Sequence, residues 1–288
     1  MKARVLIVGA TGLLGRYVVR AFAREHEVWA MRRADLDVRD RGQVERVLRA
    51  VRPEIVINCA ALSDVDACER EPELAFQVNA EGPRYLAEVC REIGATLVQI
   101  STDYVFDGRK GEPYTIADPP HPINWYGASK WAGEEAVRRA WERHYIIRVA
   151  RLFGLGGRNF ASSLPERLRA GEPLRAIVDE VGSPTYAADL AARIAEILAR
   201  GQPGTYHVTN SGACSWYEFA REVARQWGCE DVRIEPVRSA ELDRPAKRPR
   251  YTALRCLLSE RLGLAPLRAW PLALRDFLEE VKRHGTLC

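Results

Sequence analysis

Short apolar runs alternate with longer amphipathic segments through the first half of the chain. The apolar runs predict buried strands because they are rich in β-branched residues; in chain order they are RVLIV, EVWAM, EIVINCA, TLVQIS and YIIRVA. The periodic segments between them predict helices at about residues 12–24, 43–51, 73–93 and 125–141. Strands that are apolar on both faces and separated by helices indicate an α/β fold with a doubly wound parallel sheet.

The pattern loosens after residue 151, where Gly and Pro concentrate in the segments GLGGRNF, RAGEPLRAIVDEVGSPTY and RSAELDRPAKRPRYTALRC. Helices are predicted near residues 189–200, 215–226 and 271–283, and a strand is predicted near TYHVTN. We therefore expect a first domain at residues 1–150 and a smaller region at residues 151–288. The second region is interleaved with the first, because some of its segments return to it.

Composition places the chain among soluble globular proteins, since nearly half of its 288 residues are apolar and over a quarter are charged. The formal net charge is +4, but arginines alternate with acidic residues along the chain. Such mixed charge is typical of a solvated surface, so no nucleic-acid partner is expected.

The cysteines and the N-terminus indicate the compartment. The seven cysteines, Cys288 among them, are odd in number and include no C-x-x-C pair, which favours free thiols in a reducing environment. The apolar run at residues 5–8 is too short for a signal peptide, and no stretch reaches membrane-spanning length. We therefore expect a cytoplasmic protein with no membrane partner.

The segment GATGLLG follows the first predicted strand and opens the first predicted helix, with glycines at positions 9, 12 and 15. Glycine turns at this place let the backbone approach a pyrophosphate, which then lies on the free N–H groups at the helix N-terminus. The first domain is therefore predicted to bind a dinucleotide. The residues of the loop assigned to the cofactor are Gly9, Thr11, Gly12, Leu13, Leu14 and Gly15.

The end of the second predicted strand indicates which dinucleotide binds. An acidic residue there would bond the ribose 2′-hydroxyl of NAD, but the chain has Arg32 and Arg33, whose guanidinium groups suit a 2′-phosphate. We therefore expect NADPH rather than NADH, although in so arginine-rich a chain one of the two could be ordinary surface. Further cofactor contacts are assigned to Asp37 and Val38 beside the adenine, and to Ala60 and Ala61 after the third strand.

A Tyr/Lys pair and a hydroxyl cluster supply the candidate chemistry. Tyr126 and Lys130 are four residues apart and share one helix face. A neighbouring ammonium group stabilises a phenolate, which makes the tyrosine a better general acid or base. Ser101 and Thr102 end the TLVQIS strand, where a hydroxyl can orient a substrate carbonyl. The sequence thus predicts carbonyl reduction, with hydroxyls that merely end a strand as the alternative.

The chain resembles the extended short-chain dehydrogenases/reductases and, among them, the dTDP-4-dehydrorhamnose reductase family. The resemblance runs nearly end to end through GATGLLG, NCAALSDVDACEREPELAFQVNAEG, STDYVFDG, PINWYGASKWAGE, RVARLFGLGGRNF and KRPRYTAL. It implies a Rossmann fold and Thr102, Tyr126 and Lys130 as the catalytic set, with Tyr126 and Lys130 also at the cofactor. Other residues that it assigns are Asn79 beside the nicotinamide, and Ser101, Asp103, Tyr104, Phe153 and Arg248 beside the substrate.

The resemblance also implies a reaction: NADPH-dependent reduction of the C4 ketone of a nucleotide-linked 6-deoxy sugar, dTDP-4-dehydrorhamnose, to dTDP-L-rhamnose, with a homodimer as the implied assembly. Two alternatives remain open at this point, a nucleotide-sugar epimerase or dehydratase and a non-catalytic NADP-binding regulatory subunit. We expect no metal, because Arg16 and Tyr17 occupy positions where an acidic residue would support one, and none of the five histidines has ligand spacing.

Overall fold

A computed structural model describes residues 2–157 and 159–284, so the predicted free thiol of Cys288 lies outside the described residues. The strands are β1 (Arg4–Val8), β2 (Glu27–Met31), β3 (Ile55–Asn58), β4 (Thr96–Thr102), β5 (His144–Val149), β6 (Leu152–Phe153), β7 (Leu174–Ile177), β8 (Val181–Gly182), β9 (Thr185–Tyr186), β10 (Gly204–His207), β11 (Cys214–Ser215) and β12 (Ile234–Val237).

The α-helices are α1 (Leu13–Phe22), α2 (Arg41–Val51), α3 (Val65–Arg70), α4 (Pro72–Phe76), α5 (Gly82–Ile93), α6 (Trp125–Ala140), α7 (Phe160–Arg169), α8 (Ala187–Arg200), α9 (Trp216–Trp227), α10 (Leu257–Arg261) and α11 (Trp270–His284). A π-helical turn lies at Gln77–Glu81, and 3-10 turns lie at Asp103–Val105 and Ser239–Glu241. No helix in the described part of the chain is both long and apolar enough to cross a membrane.

Six parallel strands form the central sheet in the order β2-β1-β3-β4-β5-β10. The prediction of a doubly wound parallel sheet is therefore confirmed. The chain leaves β1 to reach β2 on one side and then crosses to β3 on the other. Parallel sheets bind ligands at such a switch point, beyond the carboxyl ends of the strands. Gly9 and Ala60 follow β1 and β3 at this edge.

The helix that the sequence predicts at residues 73–93 is divided into α4, the π-helical turn and α5. The turn widens the helix where α6 comes closest, since a Cβ on Gly133 would lie 2.1 Å from the carbonyl oxygen of Asn79. Such turns recur at functional sites. This one places Asn79 beside α6.

Residues beyond position 151 contribute to the central sheet and also build structure of their own. Strand β10 pairs in parallel with β5 and completes the sheet. Three two-stranded sheets lie outside it, formed by β7 with β12, β8 with β11, and β6 with β9. The segment near TYHVTN therefore joins the strands of the first half.

The last helix is joined to the first through one buried carboxylate. Glu280 of α11 is 6% exposed and accepts hydrogen bonds from the hydroxyls of Tyr17 (2.6 Å) and Tyr186 (2.7 Å). Arg20 of α1 adds an ion pair at 3.2 Å. The Tyr17 hydroxyl accepts in turn from the backbone N–H of Leu155, so the same cluster secures the loop after β6.

Candidate active site

The glycine loop after β1 forms a cradle that side chains would fill. Gly9 has a φ of +73°, and a Cβ there would lie 2.8 Å from the backbone nitrogen of Ala60. A Cβ on Gly15 would lie 2.2 Å from the carbonyl oxygen of Gly9. These two glycines are required by the fold itself, because no other residue fits the turn and the close approach.

Gly12 differs from its neighbours in what surrounds it. Its φ is −68°, and the nearest atom to a Cβ at this position would be the Gly9 carbonyl oxygen at 3.3 Å. No side chain caps α1, and its first turn contains no acidic residue. Uncapped N–H groups at an open helix N-terminus fit a pyrophosphate, so the cradle is suited to a dinucleotide.

The other residues assigned to this loop divide between its surface and its interior. Thr11 is exposed, and its carbonyl oxygen accepts a hydrogen bond from Arg16 at 2.9 Å. Leu13 is half-buried beneath Gly157. Leu14 is 6% exposed and belongs to the hydrophobic core, so its side chain supports the loop from below.

The two arginines after β2 differ in how firmly they are held. The Arg32 guanidinium contacts both carboxylate oxygens of Asp35, at 3.0 and 3.3 Å. Arg33 reaches Asp37 at 3.4 Å, but Asp37 is held more closely by Arg39, at 2.6 Å. Hydrogen bonds from Arg39 lower the pKa of Asp37 to about 2. Arg33 is therefore the less constrained of the pair.

The remaining cofactor positions surround the switch point. Val38 is buried, and its side chain would clash with any Cβ on Gly82. Ala60 is half-buried and donates its N–H to the side chain of Asn58 at 3.1 Å, whereas Ala61 is exposed. These residues flank the ends of β1 and β3, with the glycine cradle between them.

Asn79 holds the loop that follows β3. Its amide oxygen accepts from the N–H of Leu62 at 2.9 Å, and its amide nitrogen donates to the carbonyl of the same residue at 3.0 Å. The amide nitrogen also reaches the hydroxyl of Ser129 at 3.1 Å. The residue is 1% exposed and therefore joins the loop to α6 from below.

Helix α6 begins where Asn124 caps it, accepting from the N–H of Gly127 at 2.8 Å. This start places Tyr126 in the first turn and Lys130 in the next. The Lys130 ammonium donates to the carbonyl of Ile100 at 2.6 Å, and burial lowers its pKa to about 8. Burial raises the pKa of Tyr126, and a contact from Thr102 opposes that rise. The lowering of the Tyr126 pKa by Lys130 stays a prediction.

Thr102 and Asp103 turn the end of β4 toward Tyr126. The Thr102 hydroxyl accepts from the N–H of Tyr104 at 3.1 Å, and the rings of Tyr104 and Tyr126 meet edge to face at 5.7 Å. Asp103 is 3% exposed, and burial raises its pKa to about 6. The structure thus brings Thr102, Tyr126, Asp103 and Tyr104 together at one end of the sheet.

Two of the residues assigned to the substrate lie elsewhere. Ser101 is 2% exposed and donates its hydroxyl to Glu134 at 2.5 Å, about two helical turns along α6 from Tyr126. Phe153 is 2% exposed and packs against the rings of Tyr186 and Phe277. Neither side chain is brought to the cluster around Tyr126.

Arg248 joins the C-terminal region to helix α3. Its guanidinium forms a two-pronged ion pair with Asp66, at 2.6 and 2.8 Å. An open cavity of about 810 Å³ lies beside it, and further basic side chains line that cavity. They are Arg109, Lys247 and Arg250, which are exposed.

Sequence reasoning missed a buried charge, Glu134, and a half-buried one, Arg151. Glu134 follows Lys130 at the same four-residue spacing that separates Lys130 from Tyr126, so the pattern could have identified it. Arg151 has a φ of +43° and donates to the carbonyls of Cys214 (2.7 Å) and Glu180 (2.6 Å). No local sequence signal predicts that position. Residues 2–157 and 159–284 contain no cluster of His, Cys, Asp or Glu side chains able to hold a metal ion.

Fold and site together define an NADP-dependent oxidoreductase of the extended short-chain dehydrogenase/reductase class. A family model described as the RmlD substrate binding domain matches residues 3–283. The dTDP-4-dehydrorhamnose reductase of Streptomyces griseus is 43% identical over 283 residues, 96% of this chain and 93% of the relative. The chain belongs to the dTDP-4-dehydrorhamnose reductase family.

Two further relatives extend the comparison. A dTDP-4-keto-6-deoxy-D-glucose reductase of Streptomyces niveus is 38% identical, covering 95% of this chain and 96% of its own. The crystal structure of dTDP-4-dehydrorhamnose reductase from Bacillus anthracis, in complex with NADP, superposes with a TM-score of 0.95 at 37% identity. That comparison covers 97% of this chain and 100% of the other.

Proposed function

We propose that the protein reduces the C4 ketone of dTDP-4-dehydrorhamnose to an alcohol, giving dTDP-L-rhamnose, with NADPH as the reductant. The observation that carries this proposal is the meeting of Thr102 and Tyr126 beside the buried Lys130, at the sheet edge that holds the glycine cradle. The relatives named as reductases of dTDP-linked 4-keto sugars support the choice of substrate.

NADPH, when bound, supplies the hydride. Tyr126 is the proposed proton donor to the oxygen of the C4 ketone, and the Thr102 hydroxyl orients that oxygen. Lys130 contributes a positive charge near the phenol, which stabilises the phenolate left after proton transfer. The pKa of Lys130 is lowered to about 8, so the ammonium form that this role needs is the main form at neutral pH.

The substrate side is proposed to involve Asp103, Tyr104 and Arg248. The basic cavity beside Arg248 supports this assignment, because exposed guanidinium and ammonium groups suit the diphosphate of a nucleotide sugar. We accordingly propose that residues 1–150 bind the dinucleotide and that residues 151–288 mainly bind the substrate. Ser101 and Phe153 are left out of the proposed substrate contacts, because both are buried away from Tyr126.

We also propose a cytoplasmic location, which the free thiols of the six described cysteines support. A homodimer is proposed on the family resemblance, and light scattering on the purified protein tests it.

The direct test is NADPH oxidation by the purified protein with dTDP-4-dehydrorhamnose, followed through the absorbance of the nicotinamide. We expect turnover that prefers NADPH to NADH, with Tyr126→Phe reduced by about 10²- to 10⁴-fold. Turnover with dTDP-4-keto-6-deoxy-D-glucose instead would identify the second candidate substrate, which the Streptomyces niveus relative suggests. Bound NADPH without turnover of either sugar would contradict the reductase proposal and favour a regulatory subunit.

A further inference from the structure

Helix α6 presents a line of polar side chains to the sheet, at Tyr126, Lys130, Glu134 and Arg138. Residues four apart lie above one another on a helix face. The first two belong to the proposed catalytic set. Glu134 lies one turn further along, and its side chain is fully buried.

The Glu134 carboxylate is fully engaged. It accepts hydrogen bonds from the hydroxyl of Ser101 at 2.5 Å, from Arg148 at 2.9 and 2.7 Å, and from Arg138 at 2.8 Å. Burial acts to raise the pKa of Glu134, but hydrogen bonds and charge from the two guanidinium groups bring it below its usual value. The carboxylate is therefore ionised at neutral pH.

Arg148 is itself fixed in place, which makes Glu134 a rigid acceptor. The third guanidinium nitrogen of Arg148 lies 3.3 Å from Nε2 of His207. Nδ1 of His207 faces the carbonyls of Tyr114 and Arg255, so Nδ1 carries the proton and Nε2 accepts. Burial lowers the pKa of His207 to about 4, which keeps the ring neutral.

The contact with Ser101 lies between two residues that matter for the proposed chemistry. Ile100, on one side of Ser101, provides the carbonyl that accepts from the Lys130 ammonium. Thr102, on the other side, contacts Tyr126. The Ser101–Glu134 hydrogen bond therefore ties the carboxyl end of β4 to α6 at the point where the two elements bring Thr102, Lys130 and Tyr126 together.

We propose that Glu134 is a positioning residue, which fixes the end of β4 against α6 through Ser101 and keeps Lys130 protonated through its negative charge. The effect on turnover rests on the proposed function. The protonation of Lys130 does not, because it is a property of the protein without substrate.

Two further groups act on Lys130 besides Glu134. They are the thiols of Cys59, which follows β3, and Cys68, on α3. Burial raises the pKa of both thiols, to about 12 and about 11, so neither is charged at neutral pH. Among these groups Glu134 is therefore the one with a negative charge. Two positive charges pair with its carboxylate, Arg148 of β5 and Arg138 of α6.

The test is an NMR titration of lysine side chains labelled with ¹³C at Cε, in the protein without cofactor or substrate. The chain has only five lysines, so the Lys130 resonance can be assigned with a Lys130→Met variant. In Glu134→Gln, where the amide oxygen can keep the hydrogen bonds of one carboxylate oxygen but the negative charge is lost, we expect the titration midpoint of Lys130 to fall by about one pH unit or more. An unchanged midpoint overturns the proposal.

A matched control removes the charge of the neighbouring residue on the same helix. Glu135 is half-buried and pairs with Arg138 and Arg139, and we expect Glu135→Gln to leave the Lys130 midpoint in place. If Glu134→Gln does not fold, Arg138→Gln offers a second test. This variant keeps the Glu134 carboxylate and removes one of the two guanidinium groups that pair with it. Removal of that guanidinium leaves the Glu134 charge less compensated and also takes away a positive charge, so both effects should raise the midpoint, and a midpoint that stays or falls overturns the proposal.

Ser101→Ala tests the positional part, because it breaks the strand contact and leaves the Glu134 charge. We expect kcat to fall about tenfold, KM for NADPH to stay within about twofold, and the Lys130 midpoint to stay unchanged. A Ser101→Ala enzyme with the parent kcat overturns the positional role. If the parent protein shows no turnover, the proposed function fails, but the titration still decides the role of Glu134.

Discussion

The hydroxyl of Thr102 donates to one carboxylate oxygen of Asp103 at 3.0 Å, while the other oxygen has no hydrogen-bond partner among the described residues. A buried carboxylate oxygen without a partner costs free energy. Burial raises the pKa of Asp103 to about 6, although the Thr102 hydrogen bond and the charge of Arg151 act to lower it. The free oxygen lies next to the proposed site of carbonyl reduction, where a sugar hydroxyl would supply its missing donor.

Asp103→Asn is expected to stabilise the fold at about pH 7.5 by about 3 kcal/mol, and to change it little at about pH 4. The pKa in the folded state, about 6, lies above the ordinary value of 3.8, so the native state binds this proton more tightly than the unfolded state does. Stability of the parent therefore falls as pH rises through that interval, whereas an amide has no such dependence. Urea unfolding at both pH values measures the difference, and an equal effect at both would contradict it.

Thr102→Val is expected to lower kcat about a hundredfold with little change in KM for NADPH, because the role proposed for this hydroxyl is to orient the ketone and not to bind the cofactor. The same hydroxyl accepts from the N–H of Tyr104, so some stability is lost as well. Thr102→Ser keeps the hydroxyl and should retain most of the activity. Steady-state kinetics on the three proteins decide the point, and a serine variant as slow as the valine variant would argue against a role for the hydroxyl.

Substitutions at two glycines of the cradle can distinguish an effect on NADPH binding from an effect on folding stability. A Cβ on Gly15 would lie 2.2 Å from the Gly9 carbonyl oxygen, so Gly15→Ala should destabilise the fold by about 3 kcal/mol. A Cβ on Gly12 would have its nearest neighbour at 3.3 Å, so Gly12→Ala should cost the fold much less than Gly15→Ala. Its methyl group would face the proposed pyrophosphate, and the Kd for NADPH should rise by about tenfold or more. Fluorescence titration and urea unfolding measure the two effects, and tight NADPH binding by Gly12→Ala would place the phosphates elsewhere.

Preference for NADPH is predicted to depend more on Arg33 than on Arg32. The Arg32 guanidinium is occupied by Asp35, whereas Arg33 makes only a longer contact, so Arg33 is the freer donor for a 2′-phosphate. Arg33→Ala should raise the Kd for NADPH about tenfold and leave NADH binding nearly unchanged. Arg32→Ala is the matched control and should have a smaller effect. A larger rise of the Kd for NADPH in Arg32→Ala than in Arg33→Ala would indicate that Arg32 is the main donor to the 2′-phosphate.

The elements that are local in sequence were predictable. The strand at Arg4–Val8 and the helix at Leu13–Phe22 follow from apolar pattern and glycine placement alone, and the structure has both. The π-helical turn at Gln77–Glu81 was not predictable, because one extra residue per turn leaves the apolar pattern of the flanking helices nearly intact. The turn lies against Gly133 of α6, a contact between residues that are distant in sequence.

Ser101 shows where more could have been derived from the sequence. Adjacent residues of a strand point to opposite faces, so Ser101 and Thr102 could not both face one substrate. Only one of the two hydroxyls lies near Tyr126, and the other bonds Glu134. The ion pair between Arg248 and Asp66, in contrast, was not predictable from the sequence. The two residues are 182 positions apart, and nothing in the sequence around either one indicates the other.

The acceptor for the Tyr17 hydroxyl lies 263 positions further along the chain, at Glu280 in the last helix. Synthesis runs from the N-terminus, so the ribosome delivers α1 and its glycine loop long before α11 emerges. Until then the nascent chain has the tyrosine without its carboxylate, and the segment at Leu155 depends on a hydroxyl that is not yet fixed. The contact that joins α1 to α11 can therefore form only after the ribosome has added Glu280 to the chain.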